Sequence, residues 1–77
     1  MEELLTYIAK NLVDSPDEVA VTETKRGDGE FLYELRVASG DMGKIIGKHG
    51  RIAKEIRAIM KSAAVRRGIK VSVDIVD

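Results

Sequence analysis

Apolar residues recur along this chain with two different periods, and the first of them is helical. Across Glu2–Val13 they return every three or four positions, at Leu4 or Leu5, then Ile8 and Leu12, and acids occupy the first turn. This spacing predicts an amphipathic helix, because it places the apolar side chains on one face. The polar run Ser15-Pro16-Asp17 ends that helix.

The next two apolar segments alternate with a period of two. Glu18–Thr24 carries its valines on one side, and Phe31–Val37 alternates more strictly, with Tyr33 among its core-facing positions. Between them, Arg26-Gly27-Asp28-Gly29 contains the Asp-Gly pair that is typical of a tight hairpin turn. The pattern predicts an antiparallel hairpin with one buried face.

The rest of the chain returns to helical spacing and then to alternation. Met42–Ile46 predicts a short helix, which the polar connection Ser39-Gly40-Asp41 could cap. Arg51–Arg66 predicts the longest helix, and Gly68 is a residue that commonly ends one. The alternation of Ile69–Ile75 predicts a final strand.

These elements follow one another in the order α-β-β-α-α-β, without a linker or an internal repeat. Two helices connect the second and third strands, and a crossover of that kind makes the two strands parallel neighbours. We therefore expect a two-layer α/β (α+β) sandwich, in which three helices cover one face of a three-stranded mixed sheet. A chain of 77 residues suits one such domain, covering residues 1–77.

The amino-acid composition limits the kinds of functional site that this protein can have. The chain has no cysteine and a single histidine, which argues against disulfides, thiolate metal sites and thiol nucleophiles, and the expected location is the cytoplasm.

The net charge of zero hides an asymmetry. Residues 1–40 carry nine acids and four bases (−5), whereas residues 41–77 carry nine bases and four acids (+5). A basic half of this kind indicates a surface for a polyanion, although a solvated basic helix would give the same pattern.

The segment Gly47-Lys48-His49-Gly50 interrupts an apolar, helix-prone run. Glycine inside a helix costs roughly 0.5–1 kcal/mol relative to alanine, so two of them three positions apart indicate a required turn. A turn between two helices leaves backbone N–H groups at the start of the second helix, where the helix dipole favours an anion. Glycines at both ends of the loop also let the chain turn with positive φ, and they let a sugar-phosphate chain approach without a Cβ in the way. Cationic side chains lie around the loop, at Lys44, Lys48, Arg51, Lys54 and Arg57.

The stretch IIGKHGRIAKEIR resembles the Ile-Gly-x-x-Gly core of KH domains, in which this loop clamps the backbone of about four nucleotides. The order of elements is similar to the type II, bacterial arrangement of that fold over nearly the whole chain. The length and the run GKIIGKHGRIAKEIR resemble the small bacterial single-KH RNA-binding proteins of the KhpA type. The chain departs from the general KH pattern at Ala53, where a larger apolar residue is usual.

The resemblance implies an RNA chaperone or regulator that binds single-stranded RNA without a cofactor or metal. It makes Gly47 and Gly50 the loop glycines, with Ile45 and Ile46 as the apolar positions before them. The expected RNA-binding residues are Lys44, Ile46, Gly47, Lys48, His49, Gly50, Arg51, Lys54 and Arg57. It also implies pairing of the protein with itself or with a larger KH-containing RNA-binding protein, and linking two weak sites would raise the effective concentration.

The sequence bears on three other functions. A nucleotide-binding P-loop does not fit, because Gly43 and Gly47 are separated by three residues instead of four and Lys48 is followed by His49. His49 has no evident nucleophile or orienting carboxylate beside it, so we expect no enzyme. The alternative that stays open is a protein-interaction module, in which the glycine loop or the long helix binds another subunit.

Overall fold

The structure is a computed structural model that describes residues 1–76; Asp77 and the side chain of Lys48 lie outside the described part. These described residues form two α-helices, one 3-10 turn and three strands. Their bounds are α1 Glu2–Leu12, the 3-10 turn Pro16–Glu18, β1 Ala20–Gly27, β2 Glu30–Arg36, α2 Ser39–Arg67 and β3 Lys70–Val76.

The three strands form one mixed sheet in the order β1-β2-β3. β1 and β2 are antiparallel, with Glu23 opposite Tyr33, and β2 and β3 are parallel, with Tyr33 opposite Val73. The hairpin turns through Asp28 and Gly29, and Gly29 takes the positive φ of 69° that such a turn requires. Both predicted strand pairings are therefore confirmed.

The hydrophobic core lies between the sheet and the helices. Alternate residues of β2 and β3 point into it, and Tyr33 is buried as predicted. Ala53, in the first turn after the glycine loop, is also a core residue. The buried members are Leu5, Ala9, Tyr33, Leu35, Val37, Ile45, Ala53, Ile56, Met60 and Val73.

The two helices expected before and after the glycine loop belong to one helical segment, α2, that changes direction inside it. His49 has φ 65° and Gly50 has φ 69°, both in the left-handed region. A right-handed helix cannot continue through two such residues, so they divide α2 into a first arm, residues 39–48, and a second arm, residues 51–67. With α1, these arms give the three helices and the α-β-β-α-α-β order that the sequence predicts.

The predicted cap before the short helix is wrong. Ser39, Gly40 and Asp41 do not form a connection that caps a following helix, because all three are helical and Ala38 is the N-cap, without a side-chain hydrogen bond. Asp41 is instead buried, with 2% of its surface exposed, and its carboxylate accepts hydrogen bonds from the backbone N–H groups of Asp14 and Ser15. A buried carboxylate needs such partners, and here they come from the chain after α1.

Candidate nucleic-acid interface

The backbone conformation requires glycine at one of the two loop glycines and not at the other. Gly50 needs its conformational freedom, because its φ of 69° is strained for residues with a Cβ. Gly47 does not have a positive φ, and a Cβ built on it would meet nothing within 4 Å. Neither backbone strain nor packing within the protein therefore explains the glycine at position 47.

His49 adopts the second left-handed conformation of the turn, at φ 65°. The sequence prediction assigned positive φ to the glycines at both ends of the loop, and this is wrong for Gly47. Histidine is among the residues found there more often than most, although each such residue carries a conformational cost. The His49 side chain is exposed at this turn.

Three of the predicted cationic-type residues meet beside the loop. His49, Arg51 and Lys54 line one surface depression of about 360 Å³, together with Glu55. The described part of the chain thus brings one carboxylate into an otherwise basic site. The predicted contact of Lys48 concerns a side chain outside the described part.

Arg57 lies further along the second arm and faces the edge of the sheet. Its Nε donates a hydrogen bond of 3.1 Å to the carbonyl oxygen of Val73, in the edge strand β3. The guanidinium is thereby held against the strand instead of extending freely into solvent. Arg57, Lys61 and Val73 line a groove of about 330 Å³ between α2 and β3, with Val71 and Ser72.

This groove contains residues that the sequence prediction of the site missed. Lys54, Arg57 and Lys61 follow at i, i+3 and i+7, so they form a basic stripe along one side of the second arm. Lys61 could have been found from that spacing. Val71, Ser72 and Val73 could not, because their sequence indicates only a strand and not that its outer edge faces the stripe.

The remaining predicted residues lie in the first arm. Ile45 is a core residue, whereas Ile46 is half-exposed beside the loop. Lys44 points toward the chain after α1, where its Nζ lies 3.3 Å from Oδ1 of Asp14. This ion pair is exposed and contributes little to stability, but it places a carboxylate next to Lys44. The structure therefore separates Lys44 from the basic stripe on the β3 side.

Among residues 1–76, no helix has the length and apolar character that crossing a bilayer requires. Within the same residues, no three histidine, cysteine or carboxylate side chains cluster in a way that could hold a metal ion.

The order of elements, the parallel β2-β3 pair and the Gly-x-x-Gly turn between two helical arms define a type II KH domain. Solved structures agree with this class. The Aquifex aeolicus protein Era (variant Y63A, bound to GDP.AlF4-) matches with a TM-score of 0.67 and 25% identity over 96% of this chain. Era in complex with MgGDPNP and nucleotides 1506–1542 of 16S ribosomal RNA matches with a TM-score of 0.61. The chain spans 28% of each of these longer proteins.

Sequence relatives identify the family more closely. The RNA-binding protein KhpA of Chlamydia trachomatis serovar D is 52% identical over 77 residues, all of this chain and 97% of that protein. The RNA-binding protein KhpA of Clostridium acetobutylicum is 54% identical over 76 residues, 99% of this chain and all of that protein. A model of the KhpA/KhpB KH domain matches residues 2–75. The chain belongs to the KhpA/KhpB family of KH domains.

Proposed function

We propose that this protein binds single-stranded RNA by clamping its sugar-phosphate backbone at the loop Gly47-Lys48-His49-Gly50. The observation that carries the proposal is the left-handed turn at His49 and Gly50, which breaks α2 beside the cationic residues Arg51 and Lys54. Gly47 leaves the backbone open to a ligand, as two other glycines of α2 do, because neither φ nor packing requires glycine there. The relatives named RNA-binding protein KhpA support RNA as that ligand.

The arrangement around the loop supports a backbone contact. A helix that restarts after a turn presents N–H groups and the positive end of its dipole, and both favour a phosphate. Arg51 and Lys54 lie in the same depression as His49, where they add attraction for a second phosphate. Ile46, half-exposed before the loop, offers an apolar surface to a base. The groove lined by Arg57, Lys61 and Val73 would take the following bases.

The proposed activity is binding without catalysis, in the cytoplasm. Phosphate contacts position the RNA and carry no sequence information, so we expect limited selectivity among bases. One four-nucleotide site makes few contacts and should bind weakly by itself.

The decisive experiment replaces Lys48 and His49 together by Asp. The variant should keep its thermal melting temperature and lose RNA affinity by more than about a hundredfold, or about 3 kcal/mol, because two carboxylates would stand where phosphates approach. The matched control is Lys10→Asp with Asn11→Asp, the same change of charge on the exposed end of α1. A folded loop variant that binds RNA like the parent would show that the loop is not the site.

We also infer that the protein pairs with a second KH domain through the other side of α2. Ile59 is 46% exposed, and a depression of about 440 Å³ lies beside it, between α1 and the second arm. Ile59 lies on roughly the opposite side of the helix from Lys54, Arg57 and Lys61, so pairing would leave the basic stripe open. Two linked sites raise the apparent affinity without any new RNA contact.

Sedimentation and RNA binding, measured on the same variants, separate subunit pairing from RNA binding. Ile59→Asp should yield a monomer at concentrations where the parent pairs, and it should weaken binding to long RNA but not to a single four-nucleotide RNA. Tyr7→Ser, which also removes an exposed large side chain, serves as the control. If the Lys48→Asp/His49→Asp variant lost pairing and kept RNA binding, the loop would be a subunit contact instead.

A further inference from the structure

A second cavity continues the groove beyond the reach of the loop. It has a volume of about 540 Å³ and lies between the end of α2 and the start of β3. Three residues, Lys61, Val71 and Ser72, line both this cavity and the groove at Arg57. The two spaces are therefore neighbouring sections of one channel along the outer edge of β3.

The chemistry of this cavity suits a nucleotide. Val65, Ile69 and Val71 provide apolar walls, and Val65 leaves 71% of its surface exposed to a ligand. β3 is an edge strand, and residues two apart present their backbone groups on the same side. Since the Val73 carbonyl oxygen points outward to Arg57, the backbone N–H and C=O of Val71 point outward too, where the edge of a base could bond them.

The charges at the rim select an anionic chain. Lys61 and Lys70 stand at the cavity, both exposed, and Lys61 continues the basic stripe that begins at Lys54. Beyond Lys70 the sign reverses, because Asp28 and Glu30 line the next depression at the hairpin. The hairpin turn is fixed there by the hydrogen bond of 2.7 Å from the Lys70 N–H to the Gly29 carbonyl oxygen. Carboxylates at this point would end the path of a phosphate chain.

We propose that this cavity is an additional nucleotide subsite, which extends the RNA path past the four nucleotides held at the loop. The subsite takes an unpaired base against Val65, Ile69 and Val71, with its phosphate at Lys70. The inference rests on the proposed RNA binding at the loop. It adds that the bound length exceeds four nucleotides and that the acids at the hairpin set its limit.

The test compares unstructured RNAs of four and eight nucleotides on the parent, on Lys70→Glu and on Lys25→Glu. Lys25→Glu makes the same change of charge on the opposite edge strand. A longer RNA gains affinity merely by offering more registers, so the informative quantity is the slope of log affinity against log salt. That slope should steepen by about 0.7 for each added phosphate contact, whereas extra registers leave it unchanged.

For the parent and for Lys25→Glu we expect a steeper slope with eight nucleotides than with four, and NMR shifts of the Val71 and Lys70 amides with the longer RNA alone. Lys70→Glu should remove both differences and weaken eight-nucleotide binding about fivefold, with four-nucleotide binding within a factor of two. Equal slopes for both lengths in the parent would overturn the subsite. The subsite would also be overturned if Lys70→Glu changed self-association, or the capture of an acidic peptide, and left the length dependence of RNA binding as it is in the parent. A parent protein that does not bind the four-nucleotide RNA would instead refute the loop proposal.

Discussion

Asp41 bonds Asp14 across 27 positions of the chain: Oδ1 of the buried carboxylate accepts the Asp14 N–H at 2.9 Å, and Oδ2 accepts the Ser15 N–H at 3.1 Å. These donors follow the end of α1, whereas Asp41 lies in the first turn of α2. The pair of hydrogen bonds therefore ties the beginning of the loop-bearing helix to the end of the first helix. The loop at residues 47–50 is held by an arm that is itself anchored.

Replacing Asp41 by Ala should destabilise the fold by about 2–4 kcal/mol, because two partly buried N–H groups lose a charged acceptor. Asp41→Asn keeps one acceptor oxygen and should cost about half as much. Chemical denaturation with urea measures both values. Asp74→Asn, an exposed carboxylate on β3, is the control and should change stability by about 0.5 kcal/mol or less. Equal effects at Asp41 and Asp74 would contradict a structural role for the buried carboxylate.

The two loop glycines should respond to alanine in opposite ways. Gly47→Ala should leave the fold as stable or up to about 1 kcal/mol more stable, because alanine is the better helix former, and it should lower RNA affinity at least about tenfold. Gly50→Ala should cost roughly 1–2 kcal/mol of stability, because alanine is strained at φ 69°. Thermal melting and RNA titration on the same samples measure the stability and the RNA affinity of both variants. A Gly47→Ala protein that is unstable, or that binds RNA normally, would contradict the role proposed for Gly47 in the clamp.

Salt dependence should report the number of phosphates held. If three to five are neutralised, log affinity for single-stranded RNA should fall against log salt with a slope of about −2 to −3.5. Lys54→Ala should make this negative slope shallower by about 0.7. Lys44→Ala should leave it nearly unchanged, because Lys44 faces Asp14 and not the stripe. A slope near zero, or equal losses at Lys44 and Lys54, would contradict the assignment of the phosphate path to the β3 side.

Tyr33 should titrate far outside the usual range for tyrosine. Burial, and secondly the hydrogen bond of 2.5 Å from its hydroxyl to Oε1 of Glu23, raise the pKa of Tyr33 well above its ordinary value. In Tyr7→Phe, where Tyr33 is the single tyrosine, tyrosinate absorbance should therefore stay low at pH values where an unfolded tyrosine, with a pKa of about 10, has ionised.

The same shift has a consequence for stability. Above pH of about 10 the unfolded chain releases this proton before the folded one, so the contribution of Tyr33 to stability is complete below that pH and declines as the pH rises further. Tyr33→Phe removes the ionising group, and its stability should fall less steeply than that of the parent in this window. Parallel stability curves for the two proteins would refute the raised pKa.

The sequence by itself determined the element order, the strand pairing and the position of the loop. Alternation in Phe31–Val37 and the Asp28-Gly29 turn are encoded by neighbouring residues, whose geometry depends on local sterics. The parallel placement of β3 follows from the two helical arms between the strands, since a long crossover favours that arrangement. The glycines at 47 and 50, between apolar and basic residues, located the candidate site for the same local reason.

Only the tertiary structure decided which groups meet across the chain. Asp41 reads as a helix cap in sequence, yet packing places it against N–H groups that precede it by 27 and 26 positions. Arg57 reads as one of several surface cations, yet it bonds Val73, 16 residues away. Such partners depend on how layers pack, and periodicity carries no information about them. The same reason hid the groove along β3, because a strand's sequence indicates which face is apolar but not which edge stays open.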